Sequence, residues 1–210
     1  MWNYERRLGR EDFLKILPKN STGVELGVFK GEFSKYILKI VKPKKLYLID
    51  MWWQKFGIFY PDWGDFTNYG KLKTKEAYKE MTKNIRDFKE KCEILIGDDK
   101  ELLLQFADEY FDWIYLDSSH YYEDTIVELD IIRKKIKPYG LITGHDWYSS
   151  PDHDHYGVCK AVTEFCTKTS WKIVYIDKQS QWCLMNSAVL TNTQLFNNKN
   201  VLNGPLLYGD

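Results

Sequence analysis

Gly23-Val24-Glu25-Leu26-Gly27-Val28-Phe29-Lys30-Gly31 is the stretch on which the fold of this chain turns. Val24, Leu26 and Val28 alternate as the apolar positions of a short buried strand. Glu25 stands among them, where a strand that only packs would carry Val or Ile. Gly27 and Gly31 bracket a tight turn, and Glu32-Phe33-Ser34-Lys35-Tyr36-Ile37-Leu38 opens a helix. Glycine lets a ligand approach the backbone, and a helix start offers free N–H groups. A carboxylate beside such a turn suits a cationic or donor-rich ligand. The same short pattern also occurs where the glycines serve packing alone.

Working outward, strands and helices alternate. A leading helix is expected over 10–17, stopped by Pro18, and the first strand covers 23–28 with a helix over 32–41 behind it. Further strands are expected at 45–50, 92–98, 111–117 and 141–146. Helices are expected at 74–90, 99–108, 122–137 and 157–168. Residues 171–176 and 182–185 read as two strands joined by a short polar turn, hence antiparallel. Strands that are apolar throughout and separated by helices imply a parallel sheet covered on both faces. The expected organisation is one domain over 1–190, with an aromatic insertion at 51–72 and an irregular, asparagine-rich tail at 191–210.

The 210 residues are compatible with a single core, and Lys plus Arg balance Asp plus Glu at 30 each. That balance argues against a dominant grip on nucleic acid or an anionic membrane. No apolar run approaches the roughly 20 residues of a membrane span. The first residues lack an apolar signal region, and Cys92, Cys159, Cys166 and Cys183 form no Cys-x-x-Cys pair. A cytoplasmic protein with reduced cysteines is the expectation.

In open sheets of this kind ligands bind beyond the C-terminal strand ends. Glu25, Asp50, Asp98, Asp117 and Asp146 fall at five successive strand ends. Each has a bland reading as a helix cap or turn former. Their coincidence at one edge points to ligands there.

With these residues in order, the chain resembles the class I S-adenosylmethionine-dependent methyltransferases. Glu25-Leu26-Gly27-Val28-Phe29-Lys30-Gly31 looks like the first motif, and Leu46-Tyr47-Leu48-Ile49-Asp50, Ile96-Gly97-Asp98 and Asp112-Trp113-Ile114-Tyr115-Leu116-Asp117 look like the next three. Asp117-Ser118-Ser119-His120 and Lys137-Pro138-Tyr139-Gly140-Leu141-Ile142-Thr143-Gly144-His145-Asp146 look like the subgroup of catechol-type and macrocin-type O-methyltransferases. The resemblance spans about residues 20–185. It implies an α/β, Rossmann-like, doubly wound seven-stranded sheet, order 3-2-1-4-5-7-6, mostly parallel with one antiparallel edge strand.

By that resemblance, backbone around Gly27 and Gly31 cradles the amino-acid end of S-adenosylmethionine. Glu25 accepts from the ammonium, Asp50 from the ribose hydroxyls and Asp98 from the adenine amine, with Asp117 at the same edge. The turn is Gly-x-x-x-Gly and lacks the Gly-x-Gly-x-x-Gly of diphosphate binders, which counts against NAD. On the acceptor side two chemistries stand open. Asp117, His145 and Asp146 match positions where related enzymes hold a divalent metal (magnesium, manganese or iron), although His145 replaces an acid or amide. Alternatively His145, His120 and Asp117 carry metal-free base catalysis. His153 and His155 read as a metal clip, as acceptor contacts, or as parts of a solvated loop.

The insertion Met51-Trp52-Trp53-Gln54-Lys55-Phe56-Gly57-Ile58-Phe59-Tyr60-Pro61-Asp62-Trp63-Gly64-Asp65-Phe66 leaves directly from Asp50. It reads as a lid or acceptor pocket, or as rings buried against the next helix or a second subunit. The expected function is O-methylation of a small-molecule or sugar hydroxyl, by an enzyme that needs neither nucleic acid nor membrane and has room for a homodimer. The alternatives are an oxidoreductase using a nicotinamide cofactor, and a methyltransferase-like binding protein working through 51–69.

Overall fold

The computed structural model describes residues 9–190. The irregular tail expected at 191–210, like residues 1–8, lies outside the described residues. A seven-stranded sheet runs through the chain in the order β3-β2-β1-β4-β5-β7-β6. Its strands are β1 (Thr22–Leu26), β2 (Lys45–Asp50), β3 (Cys92–Ile96), β4 (Phe111–Leu116), β5 (Ile136–Gly144), β6 (Trp171–Ile176) and β7 (Trp182–Asn186). β1 to β5 are parallel to their neighbours. The antiparallel strand is β7, which pairs with both β5 and β6. It therefore lies one place in from the edge, and β6 forms the edge itself. The sharp polar turn at 177–181 forces this, because β6 and β7 must run side by side.

The helices are α1 (Arg10–Phe13), α2 (Glu32–Ile40), α3 (Trp53–Phe56), α4 (Thr74–Asn84), α5 (Asp99–Leu103), α6 (Tyr122–Lys135), α7 (Tyr156–Lys168) and α8 (Ser187–Leu190). Three expected helices are shorter than their patterns, one of them the helix expected over 99–108, which ends at Leu103. The leading helix ends at Phe13 and tightens into a 3₁₀ turn over Leu14–Ile16. The helix expected over 74–90 ends at Asn84, and Arg86–Lys91 continue as 3₁₀ turns around a non-helical Phe88. β5 begins earlier than expected, at Ile136. Backbone N–H groups of Glu109 and Tyr110 take up the last carbonyls of α6, at Lys134 and Lys135. That leaves Ile136 free to pair with Phe111, and the pairing slips around Pro138 before Trp113 meets Leu141. A proline cannot donate to a ladder, so the irregularity sits where it must.

Alternate residues of each strand feed opposite faces, the period-2 rule of a pleated sheet. Ile114 and Leu116 of β4 join Val24, Leu26, Leu129, Ile132, Val162 and Phe165 under α6 and α7. Trp113 and Tyr115 join Leu46, Leu48, Ile37, Leu38, Ala77 and Met81 under α2 and α4. Among the described residues, no helix is long and apolar enough to cross a membrane.

Candidate active site

The parallel ladders fix where the strand ends fall. Leu26 pairs with Ile49 and with Leu116, and Leu116 pairs with Gly144. The next residues continue the ladder. Gly27 N–H donates to Ile49 O at 2.9 Å, Asp117 N–H to Leu26 O at 2.8 Å and His145 N–H to Leu116 O at 3.1 Å. Gly27, Asp50, Asp117 and His145 thus stand side by side at one edge because the register leaves them no other place.

Gly27 has φ +85°, and a Cβ there would lie 2.0 Å from the carbonyl oxygen of Asp117. The β1 turn and the residues after β4 touch through this glycine. Gly31, also left-handed, caps α2 and leaves room for Met81 of α4. Protein fills the space beside both glycines, so packing explains their identity before any ligand is considered.

Glu25 does not reach the turn surface. It is 1% exposed, and Ser34 of α2 donates its hydroxyl to the carboxyl group. Burial pushes its pKa up to about 8. Asp50 binds the first turn. One oxygen accepts the N–H groups of Val28 (2.9 Å) and Phe29 (2.7 Å), and the other accepts Trp52 N–H (3.0 Å). Asp98 caps α5 by accepting Lys100 N–H at 2.9 Å. Behind it, Ser118 donates to Glu128, whose second carboxyl oxygen is buried without a partner. Burial, then the charge of Asp99, hold the Glu128 carboxyl well above the usual range. The sequence reading missed this buried pair.

The acceptor side is built around Asp146. Its backbone is left-handed, φ +61°, a conformation that is strained for a residue with a side chain and that turns the carboxylate back toward the sheet edge. Three imidazoles converge on it. His120 Nε2 lies 2.9 Å from Oδ2, His145 Nδ1 3.2 Å from Oδ2 and His155 Nδ1 2.9 Å from Oδ1. Burial alone would raise the Asp146 carboxyl; the imidazoles outweigh it and hold the group well below the ordinary carboxylate range. Burial likewise opposes a charged His120, and the bond to Asp146 outweighs it, so this imidazole titrates above its usual value.

His145 Nδ1 also lies 3.7 Å from Asp117 Oδ1. The structure therefore brings Asp117, His120, His145 and Asp146 together. It also adds His155, for which the sequence left a solvated loop open. His153 does not reach Asp146; it stacks on Tyr148 with ring centroids 3.6 Å apart and accepts the His155 N–H at 3.0 Å.

Arg10 is the residue for which no sequence signal was visible. Nη2 reaches across from α1 to Asp117 Oδ2 at 2.8 Å and to Tyr115 Oη at 2.9 Å. The guanidinium lies 4.3 Å over the Phe33 ring. Tyr115 in turn donates to Gln181.

The insertion divides in two. Trp52 is fully buried, donates to Phe29 O and packs with Trp53 around Tyr78 of α4. Phe56, Tyr60 and Trp63 gather round Phe29, next to the Asp50 turn. The Tyr60 hydroxyl is buried without a partner. Ile58, Phe59, Trp63 and Tyr69 face outward.

A family model described as "Methyltransferase domain" matches residues 24–147. No curated protein matches the chain significantly. Among solved structures, an S-adenosylmethionine-dependent methyltransferase from Aquifex aeolicus is similar at 14% identity and TM-score 0.56, over 87% of this chain and 89% of that one. Cofactor-bound Rv0187 from MTB is similar at 10% identity and TM-score 0.61, over 84% and 79%. TYW2 from M. jannaschii, in complex with AdoMet, is similar at 16% identity and TM-score 0.50, over 88% and 74%. At these identities the likeness is one of fold.

Proposed function

We propose that this chain, which belongs to the class I S-adenosylmethionine-dependent methyltransferases, methylates a hydroxyl oxygen of a small molecule or sugar at the edge formed by Asp117, His145 and Asp146. The observation that carries the acceptor reading is the packing of three imidazoles round one buried carboxylate, beside the cofactor-side acids, at the C-terminal strand ends. A nicotinamide-dependent reaction is not favoured, because the family model that matches residues 24–147 is a methyltransferase domain.

The cofactor's sulfonium supplies a methyl carbon already activated toward displacement. The protein then has two tasks. The first is alignment, which contributes several kcal/mol when the reacting atoms are held in line. Asp50 and Asp98 serve this task toward the ribose and adenine, and the backbone of the Gly27 turn toward the amino-acid end, with Glu25 buried beneath it on Ser34. Asp50 retains lone pairs beyond those used by Val28, Phe29 and Trp52, since a carboxylate offers about four acceptor sites.

The second task is removing the acceptor's proton. His145 suits it. Its Nδ1 lies 3.2 Å from Asp146 and 3.7 Å from Asp117, which orients the ring and leaves the other ring nitrogen to take the proton. A divalent ion on Asp117, His145 and Asp146 is the other route. The residues fit it poorly, because Arg10 already places a cation 2.8 Å from Asp117. The aromatic cluster at Phe56, Tyr60 and Trp63 is taken as the lid side of the acceptor pocket.

Calorimetry with S-adenosylhomocysteine, with NAD as control, tests the cofactor. A screen of phenols and sugars with methyl-labelled S-adenosylmethionine tests the acceptor class. Binding of S-adenosylhomocysteine without transfer to any hydroxyl, and with transfer to an amine or thiol instead, would overturn the hydroxyl reading.

A further inference from the structure

We propose that His120, Asp146 and His155 form a binding site for a first-row transition-metal ion, between manganese and zinc, which shares Asp146 with the Asp117 set but takes its two imidazoles from other residues. The proposal deepens the acceptor-site reading and rests on it only for the ion's use in catalysis. The ligand geometry stands independently.

One ligand atom from each of the three residues lies within 4.8 Å of the other two. The two nitrogen-to-carboxylate distances are both 2.9 Å. Ligands about 2.0–2.1 Å from an ion stand about 2.9 Å apart in an octahedral arrangement and about 3.3 Å apart in a tetrahedral one. The two distances run to different oxygens of Asp146, Oδ2 for His120 and Oδ1 for His155, and are those of hydrogen bonds, so an ion would replace the bridging protons while the three donors keep within 4.8 Å of one another. Two imidazoles with one carboxylate is the donor set that suits iron, manganese, cobalt or zinc, whereas magnesium prefers oxygen ligands. Among the described residues, the ion-pair partners of Asp146 are all histidines, so its charge has no lysine or arginine to balance it. Asp117, by contrast, already has Arg10.

The chain makes a specific provision for this arrangement. His120 and His155 come from different segments, the loop after β4 and the end of the loop before α7. Their rings stack at 3.9 Å with planes 29° apart. A Cβ at Gly157 would lie 2.6 Å from Tyr122 N and 2.7 Å from His120 O, so the first turn of α7 approaches the His120 backbone as closely as a chain can. His155 N–H is held by His153 Nδ1 at 3.0 Å, which fixes the ring's approach. An ion there shares Asp146 with His145, next to where the acceptor oxygen is deprotonated, and can hold that oxygen as a Lewis acid.

The test is metal titration of chelator-treated full-length protein, with cobalt(II) followed by visible absorption and with zinc, manganese and magnesium by calorimetry. One ion per chain is expected, bound more tightly as cobalt or zinc than as magnesium. His155→Ala and His120→Ala should each weaken cobalt at least about tenfold, while Asp117→Asn leaves it within about threefold. Circular dichroism and S-adenosylhomocysteine binding on each variant show whether it has folded. The proposal is overturned if folded wild type takes up no stoichiometric transition metal, if magnesium binds as tightly as zinc, or if Asp117→Asn weakens cobalt as much as His155→Ala. If the wild type binds cobalt but not S-adenosylhomocysteine, the methyl-transfer reading fails and this site stands.

Discussion

Asp50 Oδ2 accepts the backbone N–H of Phe29 at 2.7 Å, so the carboxylate expected to meet the ribose also holds the glycine turn together. Phe29 is itself left-handed, φ +52°, and its carbonyl is taken by buried Trp52. Asp50→Asn keeps the size but replaces one acceptor oxygen with a donor that faces backbone N–H groups. The variant should lose about 1–3 kcal/mol of stability without any ligand. Urea unfolding of cofactor-free protein measures this. An unchanged midpoint would mean that the turn does not depend on Asp50, and that any loss of cofactor binding in the variant comes from the ribose contact alone.

Gly27 is where two strand ends touch. An alanine there would adopt a left-handed backbone and would place its Cβ 2.0 Å from Asp117 O, which is backbone and cannot swing aside. Left-handed strain and overpacking together should destabilise Gly27→Ala by about 3 kcal/mol or more. Gly64→Ala provides the comparison, because its φ is also positive, at +63°, and nothing lies within 4 Å of its Cβ. It should lose only about 1–2 kcal/mol. Equal midpoints for the two variants in thermal unfolding would show that the contact with Asp117 is unimportant.

Glu25 makes stability fall as pH rises. Its folded pKa, about 8 through burial, lies above the value in an unfolded chain, so between roughly pH 4.5 and 8 the folded state holds a proton that the unfolded state has lost. Unfolding free energy then declines by up to about 1.4 kcal/mol per pH unit from this group alone. Below that window the penalty is absent, and above it the penalty is complete. Glu25→Gln keeps an acceptor for Ser34 and removes the titration. Comparing urea midpoints of wild type and variant from pH 5 to pH 8 should show the variant gaining relative stability as pH rises. Parallel curves would place the carboxyl in a wetter setting than its 1% exposure implies. If the cofactor's ammonium meets this group, S-adenosylhomocysteine should release close to one proton near pH 7 in wild type and none in Glu25→Gln.

What the sequence disclosed and what it hid follow from the range of the forces involved. The strand ends were legible because period and punctuation are local: Asp50 closes β2 and Asp117 follows β4 much as their apolar runs require. The sheet order came from the family resemblance. The end of α4 was misplaced because the apolar pattern runs on through Phe88, where the backbone leaves the helix. Arg10 was invisible because its partner, Asp117, is 107 residues away, and nothing in Gly9-Arg10-Glu11 marks one arginine among 30 basic residues. His155 was ambiguous for a related reason. Only the approach of Gly157 to the His120 backbone takes it out of a polar loop and puts it on Asp146.

Arg10 provides the sharpest test of how charge is shared at the acceptor edge. Its contact with Asp117 is 2.8 Å long, and both side chains are only about one-fifth exposed, at 22% and 20%. Removing the cation leaves Asp117 facing Asp146 with His145 alone between them. Arg10→Met retains the packing on Phe33 and should lose about 1–3 kcal/mol, most of it from the stranded carboxylate. Adding Asp117→Asn should then recover part of that loss, since the uncompensated charge is gone, and a double-mutant cycle on urea midpoints isolates the coupling. The same variant bears on metals. With Arg10 gone, Asp117, His145 and Asp146 have the charge and spacing to attract a divalent ion, so Arg10→Met should take up a second equivalent of cobalt that Asp117→Asn abolishes. If the single variant binds no more metal than wild type and the cycle shows no coupling, then Arg10 is a packing residue, and its cation does not decide which of the two ligand sets is filled.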